Sequence, residues 1–153
     1  MTPEQVIALL IRRQQSVGCA ESLTGGLLTA RLIDVPGASA VVRGGVVAYA
    51  NDVKASVLGV DPALLATVGA VHPDVALDMA RGVRRLLGSD WGVSTTGVAG
   101  PDPSDGMPVG AVFVAVDTAA GQRVGRLSLS GGRNAIRRAA VVGALGLLVK
   151  ALG

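Results

Sequence analysis

The chain has 153 residues, half of them hydrophobic but only 2% aromatic, with one cysteine, one histidine and a net charge of +3. This length fits one domain that buries roughly 68–70% of its unfolded surface without a disulfide or structural metal, and a single cysteine excludes an internal disulfide and any zinc site built from several cysteines. One Tyr, one Phe and one Trp leave no aromatic platform for stacking bases, and the basic residues are dispersed apart from two small arginine clusters, so the pI near 9.8 points to a small anionic ligand rather than to nucleic acid.

The lone Cys19 also suits a reducing compartment. Met1-Thr2-Pro3-Glu4-Gln5 lacks the basic start and apolar core of a signal peptide, and Arg12 and Arg13 interrupt the apolar run that follows. The longest uncharged apolar stretch, Ala139 to Val149, falls short of the ~20 residues that span a bilayer. The expectation is a soluble, cytoplasmic protein with neither a membrane nor a nucleic-acid partner.

In chain order, Thr2-Pro3-Glu4-Gln5 supplies an N-cap, a proline at the first helical position and a capping-box glutamine, and Val6, Leu9 and Leu10 keep helical spacing, which predicts a helix to about Gln15. Ser16 to Ala20 reads as a short strand, followed after Glu21-Ser22 by a helical stretch to Ile33 that stops near Asp34-Val35-Pro36-Gly37. The Val-rich run from Arg43 to Ala50 predicts a buried strand, with Asn51 capping a short helix that carries Lys54. Asp61-Pro62 and His72-Pro73 repeat the cap-then-proline signal. The second opens a long helix with Val75, Met79, Val83 and Leu86 on one face, ended by Gly88.

Trp91 to Thr96 predicts another strand, leading into Gly97-Val98-Ala99-Gly100-Pro101 and a polar segment as far as Pro108. Val109 to Asp117 and Val124 to Leu129 form an expected hairpin around Ala119-Ala120-Gly121, and an Ala- and Leu-rich helix from about Arg133 to Leu152 closes the chain. No linker, repeat or low-complexity tract interrupts the series, so residues 1–153 are read as one domain. Early strands separated by helices and a late hairpin predict an α/β fold, a three-layer α/β/α sandwich with a mixed sheet.

A serine between a strand and a glycine-rich helix start sits where backbone N–H groups are unpaired and the helix dipole is positive. Such donors stabilise the oxyanion formed when a serine attacks a carbonyl, by about 3–4 kcal/mol each. Ser22, with Thr24, Gly25 and Gly26 behind it, has that setting, although spacing alone more readily makes Ser22 and Thr24 helix caps. A serine nucleophile needs a base. His72, directly before Pro73, reads as a cap. Lys54, in the first turn after Asn51, has its pKa lowered by a positive helix end, but by spacing alone reads as a solvated surface charge. The loop Thr96 to Pro101 follows a strand and suits either an anion or a tight turn. Asp102 and Asp105 read as turn residues rather than a metal site, and Arg133 and Arg137, four apart, share a helix face where either suits a phosphate. Cys19 reads as an inert core residue.

Together these segments resemble the CinA C-terminal domain family, whose characterised members hydrolyse the amide of nicotinamide mononucleotide to nicotinate mononucleotide and ammonia. The resemblance covers nearly the whole chain and rests on Ala20-Glu21-Ser22-Leu23-Thr24-Gly25-Gly26, on Gly44-Gly45-Val46-Val47-Ala48-Tyr49-Ala50-Asn51 with Lys54, on Thr96-Gly97-Val98-Ala99-Gly100-Pro101, on Pro108-Val109-Gly110, and on Gly132-Arg133 with Arg137. It implies a nicotinamide mononucleotide deamidase in which Lys54 activates the nucleophile Ser22 and Tyr49 positions or relays the proton. N–H groups around Thr24, Gly25 and Gly26 would bind the oxyanion. Asn51, Thr96, Gly97, Arg133 and Arg137 would contact substrate, and no metal or organic cofactor is required.

Departures from the family pattern are Gly132 where an aspartate commonly precedes the arginine, His72 where a serine is usual, and Met107 where lysine is common. Many relatives carry an N-terminal domain resembling molybdopterin-binding proteins, whereas here Met1 leads straight into the first helix, so that domain's activities are not expected. The rival reading is a non-catalytic nucleotide- or partner-binding module linked to competence or the DNA damage response. The apolar final helix and small size also predict a homodimer or higher homo-oligomer.

Overall fold

The structure is a computed structural model that describes residues 2–153. The elements are α1 (Pro3–Arg13), β1 (Val17–Glu21), α2 (Leu27–Ile33), β2 (Val42–Val47), α3 (Asn51–Leu58), α4 (Pro62–Val68), α5 (Pro73–Leu87), β3 (Trp91–Gly97), β4 (Ala111–Thr118), β5 (Gly121–Ser128) and α6 (Arg133–Leu152). The five strands form one mixed sheet in the order β2-β1-β3-β4-β5. β1 pairs parallel with β2 and with β3, while β3–β4 and β4–β5 pair antiparallel.

The period-2 alternation of strand side chains divides the core into two apolar layers. On one face Val17 and Cys19 of β1, Trp91 and Val93 of β3, and Val112, Val114 and Val116 of β4 pack with Val6 and Leu10 of α1, Leu28 and Leu32 of α2, and Ile136, Ala140 and Leu148 of α6. On the other, Ala20 meets Val75, Met79 and Val83 of α5 with Leu58 and Leu65 from α3 and α4, and Phe113 and Ala115 meet Ala76 and Ala80. The result is the expected α/β/α sandwich with a mixed sheet. Each fully buried aliphatic side chain contributes about 1.5–3 kcal/mol, so Leu10→Ala, at the centre of the α1 contact, costs about 2–5 kcal/mol.

The helix caps at Thr2, Asp61 and His72 form as the sequence predicts. Asn51 does not cap α3. The N-cap is Ala50 and Asn51 is the first helical residue, with β2 ending at Val47 and Ala48 N–H still donating to Glu21 O at 2.9 Å. The helical stretch expected from Ser22 also differs. Residues 22–26 form turns and α2 starts only at Leu27, because Gly25 and Gly26 hold φ angles of 58° and 106°. Those angles suit glycine and do not continue a right-handed helix.

The connections place a specific point of the sheet at the centre of interest. From β1 the chain moves to β2 on one side and returns to β3 on the other. Between the C-terminal ends of β1 and β3 the loops therefore part and leave a crevice, the place where open α/β sheets bind ligands. Ser22 follows β1 directly, and Thr96 and Gly97 end β3.

Candidate active site

Ser22 sits on a loop tied from below and above. Below it, Glu21 is fully buried at the end of β1, and its carboxylate accepts from Thr24 Oγ1 at 2.6 Å, Leu28 N at 2.8 Å, Thr29 N at 3.0 Å and Thr29 Oγ1 at 2.6 Å. Because the single Thr24 hydroxyl proton goes to Glu21, the 2.8 Å contact between Thr24 and Thr95 hydroxyls has Thr95 as donor. A carboxylate inside the first turn of α2 satisfies otherwise orphaned N–H groups and opposes the positive helix end. Above the loop, Arg137 Nε donates to Leu23 O at 2.8 Å and Nη2 to Thr24 O at 3.4 Å. The Ser22 N–H donates to Thr95 O at 3.0 Å, which fixes the loop to β3.

These bonds leave the Ser22 hydroxyl free. The residue is 7% exposed and its Oγ has no hydrogen-bond partner among the described residues, while no buried side-chain oxygen or nitrogen is left unpaired. Its oxygen therefore opens to the adjoining cavity of about 370 Å³, whose walls include Leu23, Tyr49, Asn51, Lys54, Thr96 and Arg133.

Lys54 lies on the inward face of α3 and is 1% exposed. Its Nζ donates to the backbone carbonyl of Tyr49 at 2.8 Å. Burial pushes its pKa below the usual lysine value and Asp105 partly opposes that shift. This overturns the solvated surface charge that spacing alone suggests. Tyr49 is 63% exposed. It meets Lys54 through its carbonyl, whereas its hydroxyl accepts from Arg133 Nη2 at 3.2 Å.

The far wall comes from β3 and the loop after it. Thr96 is buried and its hydroxyl donates to Ala70 O at 2.8 Å. Gly97 admits no side chain, since a Cβ there would stand 2.6 Å from Val112 Cγ2 and 2.8 Å from Ala111 O. Arg133, the first residue of α6, bridges the cavity by donating through Nη1 to Gly100 O as well as to Tyr49.

Of the residues predicted for the site, Ser22, Tyr49, Asn51, Lys54, Thr96, Gly97 and Arg133 line one cavity. Thr24, Gly25, Gly26 and Arg137 do not. The Thr24 side chain is buried under the loop, Gly25 and Gly26 form its turn, and Arg137 is spent on loop carbonyls. The two arginines of α6, equivalent by spacing, thus have different surroundings. Of the expected oxyanion donors only the Gly25 N–H is taken, while those of Thr24 and Gly26 have no acceptor among the described residues. Leu28 and Thr29 N–H serve Glu21, Gly25 N–H serves Ser22 O, and Leu27 N–H serves Thr24 O. Leu23, next to the serine and on the cavity wall, has a backbone N–H with no acceptor among the described residues.

Sequence reasoning missed Glu21 and undervalued Asp105. A charge ending an otherwise apolar five-residue strand is the signal that marks Glu21 as paired, since charges are seldom fully buried alone. Asp105, read as a turn residue, also lines the cavity. His72 is a cap, its Nδ1 accepting from Asp74 N at 3.1 Å. Cys19 is buried and its thiol is pushed up to about 12, chiefly by burial, which makes it inert. Among the described residues no cluster of three or more His, Cys, Asp or Glu side chains is arranged to hold a metal, and no helix is long and apolar enough to cross a membrane.

The CinA C-terminal domain family model matches residues 1–152. A CinA-like protein of Frankia casuarinae is 50% identical over 147 residues, which is 96% of this chain and 34% of that protein. One from Geobacter sulfurreducens is 46% identical over 99% of this chain and 37% of its own length. This chain thus spans about a third of the length of those curated relatives. The crystal structure of the competence/damage inducible protein CihA from Agrobacterium tumefaciens superimposes with a TM-score of 0.93 at 38% identity, covering 98% of this chain and 92% of that one. Fold, order of motifs and similarity along nearly the full sequence agree, and the chain belongs to the CinA C-terminal domain family.

Proposed function

We propose that this chain hydrolyses the carboxamide of nicotinamide mononucleotide to nicotinate mononucleotide and ammonia, with Ser22 as nucleophile and Lys54 as base. The observation that carries the reading is one cavity holding both an unpaired serine hydroxyl and a buried lysine whose pKa burial pushes below the usual lysine value. A neutral amine can take a hydroxyl proton, and a lysine tuned downward by burial is suited to that task near neutral pH. The cavity volume of about 370 Å³ falls in the range of small-ligand sites, and Arg133 supplies the cation for the phosphate.

In this reading Lys54 removes the Ser22 proton as Oγ attacks the carboxamide carbon. The developing oxyanion is met by the Leu23 N–H, the free donor closest in sequence to the nucleophile. The proton held on Lys54 passes to the leaving nitrogen, ammonia departs, and an ester remains on Ser22. Water activated by the same amine then releases nicotinate mononucleotide. Tyr49 orients the amine through its carbonyl and Arg133 through its hydroxyl. A homodimer or larger assembly belongs to the same proposal and is read by light scattering.

The test is ammonia release by purified protein with nicotinamide mononucleotide, nicotinamide riboside and nicotinamide side by side. Turnover is expected with the nucleotide and much less without the phosphate. Ser22→Ala is expected to abolish turnover and keep nucleotide binding; persistent ammonia release in that variant would sink the nucleophile assignment.

A further inference from the structure

The loop between β3 and β4 brings Asp105 to the cavity that holds Ser22 and Lys54. Asp105 and Gly106, with φ of 53° and 71°, are the centre of a tight turn closed by Ser104 N–H to Met107 O at 3.2 Å and Met107 N–H to Ser104 O at 2.8 Å. The turn fixes the backbone, and two further features fix the carboxylate. Its Oδ2 accepts from Ala70 N at 2.9 Å. Gly69, whose φ is 76°, leaves room for it, since a Cβ there would lie 2.7 Å from Asp105 Cγ.

The other charged or titratable groups around Lys54 are differently engaged. Arg133 and Tyr49 bond each other at 3.2 Å. Glu21 is turned to α2, Asp52 on α3 is exposed, and His72 is held by Asp74 N. Asp102 lines the cavity, but Asp105 is the acid whose charge acts on the lysine. α4 and α5 contribute Leu65, Val75 and Met79 to the apolar cluster that Leu58 of α3 joins.

We propose that Asp105 is a positioning residue of the site, whose carboxylate supports the ammonium that Lys54 becomes when it takes the Ser22 proton. The inference rests on the serine–lysine reading above. In the acylation step the Ser22 O–H bond breaks, an Nζ–H bond forms, and Oγ bonds to the carboxamide carbon as the carbonyl pair moves to oxygen. Lys54 is then a cation in a buried place, and a buried cation needs a compensating charge. Asp105 supplies that charge. When the amine hands the proton to the leaving nitrogen, the charge pair disappears and Lys54 is again the amine that activates water against the ester.

Asp105→Asn tests this, because the amide keeps an oxygen for the Ala70 N–H and removes only the charge. Lys54 and Lys150 are the chain's two lysines, so lysine side-chain labelling gives two resonances, and Lys150→Arg assigns them. Loss of the carboxylate disfavours the ammonium, so the Lys54 titration midpoint is expected to move to lower pH, the acid limb of kcat to move with it, and kcat on the plateau to fall by about 10–100-fold with KM little changed. An unmoved or raised midpoint overturns the proposal, even if kcat falls. Because the resonance is read without turnover, a wild-type protein that releases no ammonia would count against the proposed function separately from the charge coupling.

Discussion

The sheet has a cleft at each end, and the larger one is the less promising. At the N-terminal ends of β1 and β3, a depression of about 570 Å³ is lined by Gln15, Arg84, Ser89, Trp91 and Arg123 among others. Its polar groups are closed on each other. Arg84 pairs with Asp117, Trp91 Nε1 donates to Gln15 at 3.0 Å, Ser89 Oγ to Trp91 O at 2.9 Å, and Arg123 to Lys150 O at 3.3 Å. At the C-terminal ends the cavity is about 370 Å³ and holds a serine hydroxyl without a partner and a lysine bonded only to a carbonyl. Volume measures the space for a ligand. Unmatched polar groups measure the free energy that a ligand can recover, and by that measure the smaller cleft is the better candidate site.

Four substitutions separate the roles of the two clefts. Lys54→Met should have the largest effect, a loss of about 10²–10⁴-fold in kcat without loss of fold. Folded Lys54 holds its proton less tightly than an ordinary lysine near 10.5, so between the folded value and that ordinary value the unfolded state binds more protons. Stability from this group therefore rises with pH through that window and is least favourable below it. Methionine is expected to melt at or above wild type, with the gap widest at pH below the folded-state midpoint, as calorimetry across pH will read. A variant that melts well below wild type would make Lys54 a structural residue.

Next, Glu21→Gln turns an amide NH2 toward donors and should cost about 2–4 kcal/mol in denaturant unfolding, with activity falling too. Arg133→Ala should raise KM for the nucleotide by about 10–100-fold and leave KM for the riboside unchanged, a contrast that steady-state assays resolve; equal changes for both substrates would remove the phosphate role. The smallest effect belongs to the other cleft. Arg84→Met strips the partner from Asp117, which is 3% exposed, and should cost about 1–2 kcal/mol of stability with kcat and KM intact.

Much of this was legible in the sequence where a local rule acts alone. Proline after Thr2, Asp61 and His72 marked three helix starts, and the order of strands and helices gave the layers. The site was legible as to Ser22 and its neighbours, but not as to which side chains face the cavity. Spacing could not separate Arg133 from Arg137, because the loop carbonyls that occupy Arg137 belong to residues more than a hundred positions away. It could not tell a solvated Lys54 from a buried one either, since that depends on α4 and α5 packing over α3. The helix expected from Ser22 failed on backbone angles at Gly25 and Gly26, where the pattern of apolar residues carries no information.

The loop that carries Ser22 is held by Glu21 underneath and Arg137 above before any ligand arrives. The ordering of Ser22 is thus settled during folding rather than at each encounter with a ligand. Such a site has little slack to lose ahead of the rest of the molecule. Heat inactivation should follow the melting curve closely, and mild denaturant should not uncouple chemistry from structure.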